Sequence, residues 1–135
     1  RFGEHTLYKW LTNGMDVIDR ARAMDNVTDI YLCGHSQGGL LAMLLAGMER
    51  RVVKVLIPLS PAVMIPEDAR SGDLLGYSFD PDDLPSYLTS YDGMKLNSNY
   101  IRVAQTINVD IREFDKISRR KKNPLRKTAY YLWSP

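Results

Sequence analysis

Cysteine is almost absent. Cys33 is the single one in 135 residues, so no internal disulfide can close. It lies in an apolar strand pattern, where a small buried hydrophobe is the expected role. Histidine is nearly as scarce: His5 and His35 are the two, and none follows residue 35. One cysteine and two separated histidines make no metal-ligand cluster, so neither a metal nor another cofactor is expected. The longest apolar run, "GGLLAMLLAGM" at residues 38–48, is shorter than the roughly 20 residues a membrane-spanning helix requires. Gly3, Glu4 and His5 interrupt the first apolar residues, which is not a signal-peptide pattern. The expectation is a soluble, cytoplasmic protein with no membrane partner. Acidic residues are missing from 119–135, where six basic residues gather: Arg119, Arg120, Lys121, Lys122, Arg126 and Lys127. Subtracting those six from the net charge of +2 leaves −4 for residues 1–118. Such a tail can bind nucleic acid or an anionic surface. No recognition helix accompanies it, so that role ranks last.

What is present is a globular composition, 44% hydrophobic and 25% charged, enough to pack the core of one domain or of part of one. Thr6 can cap a helix in which Leu7, Trp10, Leu11, Val17, Ile18 and Ala21 recur at helical spacing. Gly14 weakens that helix by about 1 kcal/mol relative to Ala. "DNVTD" at residues 25–29 reads as a turn. "IYLC" that follows reads as a buried strand, residues 37–49 as a buried helix, and "RRVVKVLIPLS" at residues 50–60 as a second strand. Helix, strand, helix, strand is the order of a parallel α/β sheet. Both strands look apolar on both faces, as interior parallel strands do. After Pro61 the texture changes. Prolines, glycines and acids crowd residues 62–98, an irregular excursion of short elements, before a helical pattern resumes from Tyr100 to Ile107. No internal repeat is visible.

"GHSQG", residues 34–38, matches G-x-S-x-G and stands where that motif needs to stand, between a strand and a helix. The tight turn strains the serine backbone and crowds the positions two before and two after it. Glycine at Gly34 and Gly38 is expected to remove that clash, and Gly39 to let the helix pack close to the sheet. This geometry exposes the Ser36 hydroxyl, sets it at the positive end of a helix dipole, and aims the Gln37 N–H at the place where an oxyanion would form. One such donor typically supplies about 3–4 kcal/mol of transition-state stabilisation.

"GHSQGG" together with "LIPLSPA" and "NYIRVAQTI" resembles the α/β-hydrolase superfamily. More narrowly, it is similar to bacterial cinnamoyl or feruloyl esterases, over about Gly3 to Phe114. The resemblance implies the central part of an α/β-hydrolase fold plus a small inserted cap. Residues 1–61 are the partial core, 62–105 the cap, 106–116 a return to the core, and 117–135 an atypical basic tail. It implies that Ser36 is the nucleophile and Gln37 the second oxyanion-hole residue. It also implies that Asp68 and Tyr100 occupy the cap places that meet the phenolic end of the substrate, a small-molecule ester. His35 precedes the nucleophile, where a structural hydrogen-bonding role is expected.

In this fold the chain order is Ser, then Asp or Glu, then His. With no histidine after Ser36, the triad base and its acid are read as absent from this chain, which is expected to be the middle of a larger hydrolase. After "DIREFDK" a relative would enter another strand, whereas "ISRRKKNPLRKTAYYLWSP" is too charged for one. A shifted reading frame or a truncated gene copy from about residue 117 is the expectation. The reading is therefore a serine carboxylic-ester hydrolase present as an incomplete chain, which by itself is expected to be inactive; the alternative is a non-catalytic remnant or binding fragment lacking the triad His and Asp.

Overall fold

In the computed structural model, residues 6–49 and 51–108 are described. The expectations for the basic tail lie outside the described residues. The described chain divides into two compact units: residues 11–62 form one, and residues 6–10 with 63–108 form the other.

The first unit is built from helices against a parallel strand pair. Helix α1 (Leu7–Arg22), of which residues 7–10 belong to the other unit, begins after Thr6, whose Oγ1 accepts the Lys9 N–H at 3.3 Å, as an N-cap side chain does for the third helical residue. Leu11 and Ile18 bury the face that packs in this unit, joined by Leu45 and by the half-buried Ile30, Leu32 and Val53. Each fully buried aliphatic side chain is worth about 1.5–3 kcal/mol. Val17, expected on that apolar side, is 66% exposed. Gly14, the weak point by propensity, is where α1 receives a neighbour: a Cβ there would lie 2.5 Å from Leu45 Cδ1.

Strand β1 (Ile30–His35) leads into helix α2 (Gln37–Met48), which returns the chain to strand β2 (Val53–Leu59). The strands are parallel, in register from Tyr31 opposite Val55 to His35 opposite Leu59, after a shift between Ile30 and Tyr31. Helix α2 is apolar all round and buries Leu40, Ala42, Met43 and Leu45. Lys54 Nζ meets Asp29 Oδ1 at 2.9 Å on the exposed flank of the pair. That hydrogen bond raises the Lys54 pKa above its ordinary value.

The sheet corrects one expectation. Exposure alternates along β1. Ile30 and Leu32 turn toward the core cluster, whereas Tyr31, Cys33 and His35 are exposed. Cys33 is therefore an exposed thiol, not a buried hydrophobe. An apolar strand sequence states what each face tolerates. Burial also needs an element laid across that face, and side chains two apart share a face while neighbours do not.

The second unit is compact despite its irregular sequence. Helix α3 (Ile65–Ser71) ends on Gly72 at φ 90°, whose N–H returns to the Asp68 carbonyl, a left-handed C-cap that favours glycine. A hairpin of strands β3 (Asp73–Leu74) and β4 (Tyr77–Ser78) follows. Its turn residues Leu75 and Gly76 both have positive φ, the condition of a type I′ turn. Strands β5 (Tyr87–Thr89) and β6 (Lys95–Asn97) form a second hairpin. At its tip the Ser90 hydroxyl donates to Asp92 and holds that carboxyl below its usual range. Helix α4 (Ser98–Thr106) is capped by Asn97, whose Oδ1 accepts the Asn99 N–H at 2.9 Å. Arg70 donates to the Gln105 and Ile107 carbonyls at the other end of α4, at 3.1 and 2.9 Å. Ile65, Ala69, Leu74, Ile101 and Ala104 form the buried centre.

Candidate active site

Ser36 is the hinge between β1 and α2. Its φ of 53° and ψ of −118° lie in the left-handed half of backbone space, where a residue other than glycine is strained by about 1–3 kcal/mol. A serine at a helix N-cap ordinarily takes an extended conformation and turns its oxygen back onto the helix N–H groups, for about 1 kcal/mol. Ser36 does neither. It is exposed, and its side chain makes no capping hydrogen bond. The local conformation therefore forgoes two stabilising terms, and the hydroxyl stays outside the helix.

Three backbone hydrogen bonds hold that conformation. The Ser36 N–H donates to the Leu59 carbonyl at 3.0 Å. The Ser36 carbonyl accepts from the Leu40 N–H at 3.2 Å and from the Ala62 N–H at 2.9 Å. Gly34 and Gly39 make the fold of the turn sterically possible. A Cβ at Gly34 would lie 2.1 Å from the Gly38 carbonyl oxygen, and one at Gly39 would lie 2.9 Å from Pro61 Cα. Gly38 departs from expectation, since a Cβ there would meet nothing within 4 Å. The crowding is between the α-carbon of residue 34 and the carbonyl of residue 38, so the substituent on residue 38 points clear of it.

Gln37 is the first residue of α2, so its N–H emerges from the positive end of the helix dipole. His35 is exposed at the end of β1. His5 lies outside the described residues.

In the other unit, Asp68 is half-buried on α3, and its backbone carbonyl accepts from Ser71 Oγ and Gly72 N. Tyr100 is 6% exposed, with its ring edge-on to Trp10 at a centroid distance of 6.4 Å. Packing of α4 occupies the ring.

Among the described residues, no group of three His, Cys, Asp or Glu side chains could hold a metal ion. No described helix is long and apolar enough to cross a membrane. A surface recess of about 380 Å³ is lined by Gly47, Met48, Glu49 and Arg51. It sits at the far end of α2 from Ser36 and has no part in this site.

Sequence reasoning missed the turn after β2. Ser60 takes φ 41°, immediately before Pro61, which disfavours helical and left-handed conformations for its predecessor. The residues of this turn, "LSPA", marked the family resemblance. Their hydrogen bonds to Ser36 needed the parallel register of β1 and β2 to become visible.

Residues 5–122 match the family described as serine aminopeptidase, S33. Among solved structures, Est1E from Butyrivibrio proteoclasticus is 62% identical, with a TM-score of 0.72 over 77% of this chain and 43% of that one. A structure described as ferulic acid bound to Est1E from the same organism is 42% identical, with a TM-score of 0.76 over 96% of this chain and 67% of that one. The chain thus spans less than half the length of the first of these relatives. No curated protein matches it.

Proposed function

The chain belongs to the serine aminopeptidase S33 family and has its α/β-hydrolase fold, and from that premise we propose that Ser36 is the nucleophile of a serine carboxylic-ester hydrolase. The observation that carries this reading is the exposed serine held at φ 53° without a capping bond. A structural serine at this position gains by relaxing into the cap.

Ser36 Oγ attacks the ester carbonyl, and its proton passes to a general base. The carbonyl π electrons move onto oxygen, where the Gln37 N–H donates to the oxyanion. Collapse of this intermediate breaks the bond to the alcohol, which leaves with the proton held by the base. The acyl-enzyme then reacts with water to release the acid and restore Ser36. We place the base and its orienting acid outside residues 1–135, in the length of the relative that this chain does not span.

The acyl group we favour is an aromatic acid such as a ferulate. The support is the ferulic-acid complex of Est1E, 42% identical to this chain. Asp68 and Tyr100 are proposed to meet the phenolic end, on the resemblance alone. For Tyr100, whose ring is packed, that contact falls to the hydroxyl. We place the protein in the cytoplasm, because an exposed thiol at Cys33 suits a reducing compartment. No nucleic-acid role is proposed.

A second reading is a non-catalytic remnant or binding fragment, in which no histidine acts on Ser36. Loss of the triad histidine cost about 10⁶ in kcat in one well-studied protease. A fluorophosphonate probe with mass spectrometry separates the two readings. Rapid labelling of Ser36 that is lost in Ser36→Ala contradicts the remnant; because the base is placed outside residues 1–135, an unlabelled Ser36 supports the remnant only in a chain extended to the length of the relative. Turnover of methyl ferulate against an amino-acid anilide then separates esterase from aminopeptidase.

A further inference from the structure

We propose that the turn from Leu59 to Ala62 is a positioning clamp for Ser36, a role that rests on reading Ser36 as a nucleophile. A residue has two soft dihedrals, set by the peptide planes on either side. The plane before Ser36 is fixed by its N–H on the Leu59 carbonyl, and the plane after it by its carbonyl under the Ala62 N–H. The bond from Leu40 is one that any helix start supplies. The Leu59 bond is the last rung of the β1–β2 ladder, and the Ala62 bond comes from the turn just after it, so that one short segment grips both planes.

The clamp is itself under strain and closely seated. Ser60 stands at φ 41°, although Pro61 follows it. Pro61 lies over the first turn of α2, where the absent side chain of Gly39 leaves room; a Cβ there would come within 2.9 Å of Pro61 Cα and Cβ. Strained conformations persist where the surroundings over-determine them. Here the second strained residue and the glycine belong to the device that holds the first. Leu59 and Ala62 do not touch the reacting atoms. They act by setting the frame from which the Ser36 Oγ projects. Ala62 is also the last residue of its unit before the chain enters the other.

The test compares wild type, Ala62→Pro, which deletes the N–H on the Ser36 carbonyl, and Ala62→Gly, which keeps it. Labelling of Ser36 by a fluorophosphonate is resolved into a saturation constant and a maximal rate. Hydrogen exchange of the Ser36 and Ala62 amides is followed in the wild type. Ala62→Pro is expected to lower the maximal rate by about 10²-fold, the effect of a reacting atom displaced by about 1 Å, with the saturation constant unchanged. Ala62→Gly is expected to restore the rate. An unchanged rate in folded Ala62→Pro overturns the clamp. Should that variant not fold, wild-type exchange decides: an Ala62 amide as fast as an unstructured one overturns the clamp, and a slow one supports it. Labelling is read in the chain extended to the length of the relative, where the base is placed; slow exchange at both amides with no labelling of wild-type Ser36 there instead sinks the nucleophile reading.

Discussion

The same substitution made four residues apart is expected to act in opposite directions. In Gly34→Ala the new methyl would sit 2.1 Å from the Gly38 oxygen, 2.4 Å from its carbonyl carbon and 2.8 Å from the Gly39 nitrogen. All three are backbone atoms of the first turn of α2, so no side chain can rotate away. Overpacking in less rigid surroundings costs about 1–3 kcal/mol. Moving this turn also disturbs the hydrogen bonds at Ser36, each worth about 0.5–1.5 kcal/mol net. Gly34→Ala should therefore destabilise by about 3 kcal/mol or more. In Gly38→Ala the methyl meets nothing within 4 Å, and alanine improves helix propensity by up to about 1 kcal/mol. Both changes restrict the unfolded chain alike, so their difference reports the folded state. Urea unfolding followed by circular dichroism, with the slopes compared, gives that difference. Equal midpoints for the two variants would refute the crowding geometry of the turn, and with it the reason a glycine stands at position 34.

Ser98 is fully buried, and its hydroxyl has no hydrogen-bond partner among the described residues, a state that costs about 1–3 kcal/mol. Ser98→Ala should raise the urea midpoint, and a lowered midpoint would show that the hydroxyl has a partner. Asp92 has a depressed pKa in the fold, so its contribution is present at neutral pH and is lost as the pH falls through its folded value. Amide exchange at Ser90 and Met94 should quicken on acidification in the wild type and lose that pH dependence in Asp92→Asn. Cys33 should react with a thiol reagent in the folded chain about as fast as in denaturant, and strong protection would restore the buried reading. Thr6→Ala should cost about 1 kcal/mol through the lost cap, read as earlier fraying of α1.

The elements that sequence made legible are those whose causes are local. Thr6, the helical spacing of Leu11 and Ile18, and the all-apolar run of α2 specify themselves within a few residues. The strand–serine–helix order of the site was legible for the same reason, as was the tightness that glycine allows at residue 34. What sequence did not carry is set by partners distant along the chain. The exposure of Cys33 depends on which face of β1 the helices cover. The bland environment of Gly38 depends on which atom of a tight turn meets which. Arg70 sealing the end of α4, and Gln105 reaching the carbonyls of Ala69 and Pro81 at 3.1 and 3.0 Å, follow from tertiary placement alone. The turn at Ser60 shows the limit most sharply. Its residues were singled out by likeness, yet what they hold became apparent only with the two strands side by side.

The backbone twist at position 36 also bears on how this molecule responds to engineering for robustness. Glycine would relax there at once, and an alanine-for-glycine exchange at 39 would be tempting to a designer seeking stiffer helices. The first trades away the hydroxyl, and the second pushes on the loop beneath it. A stabilisation campaign scored by melting temperature alone would reject the second, which overpacks Pro61, yet accept the first, so under the proposed role every round needs a readout of that oxygen's reactivity.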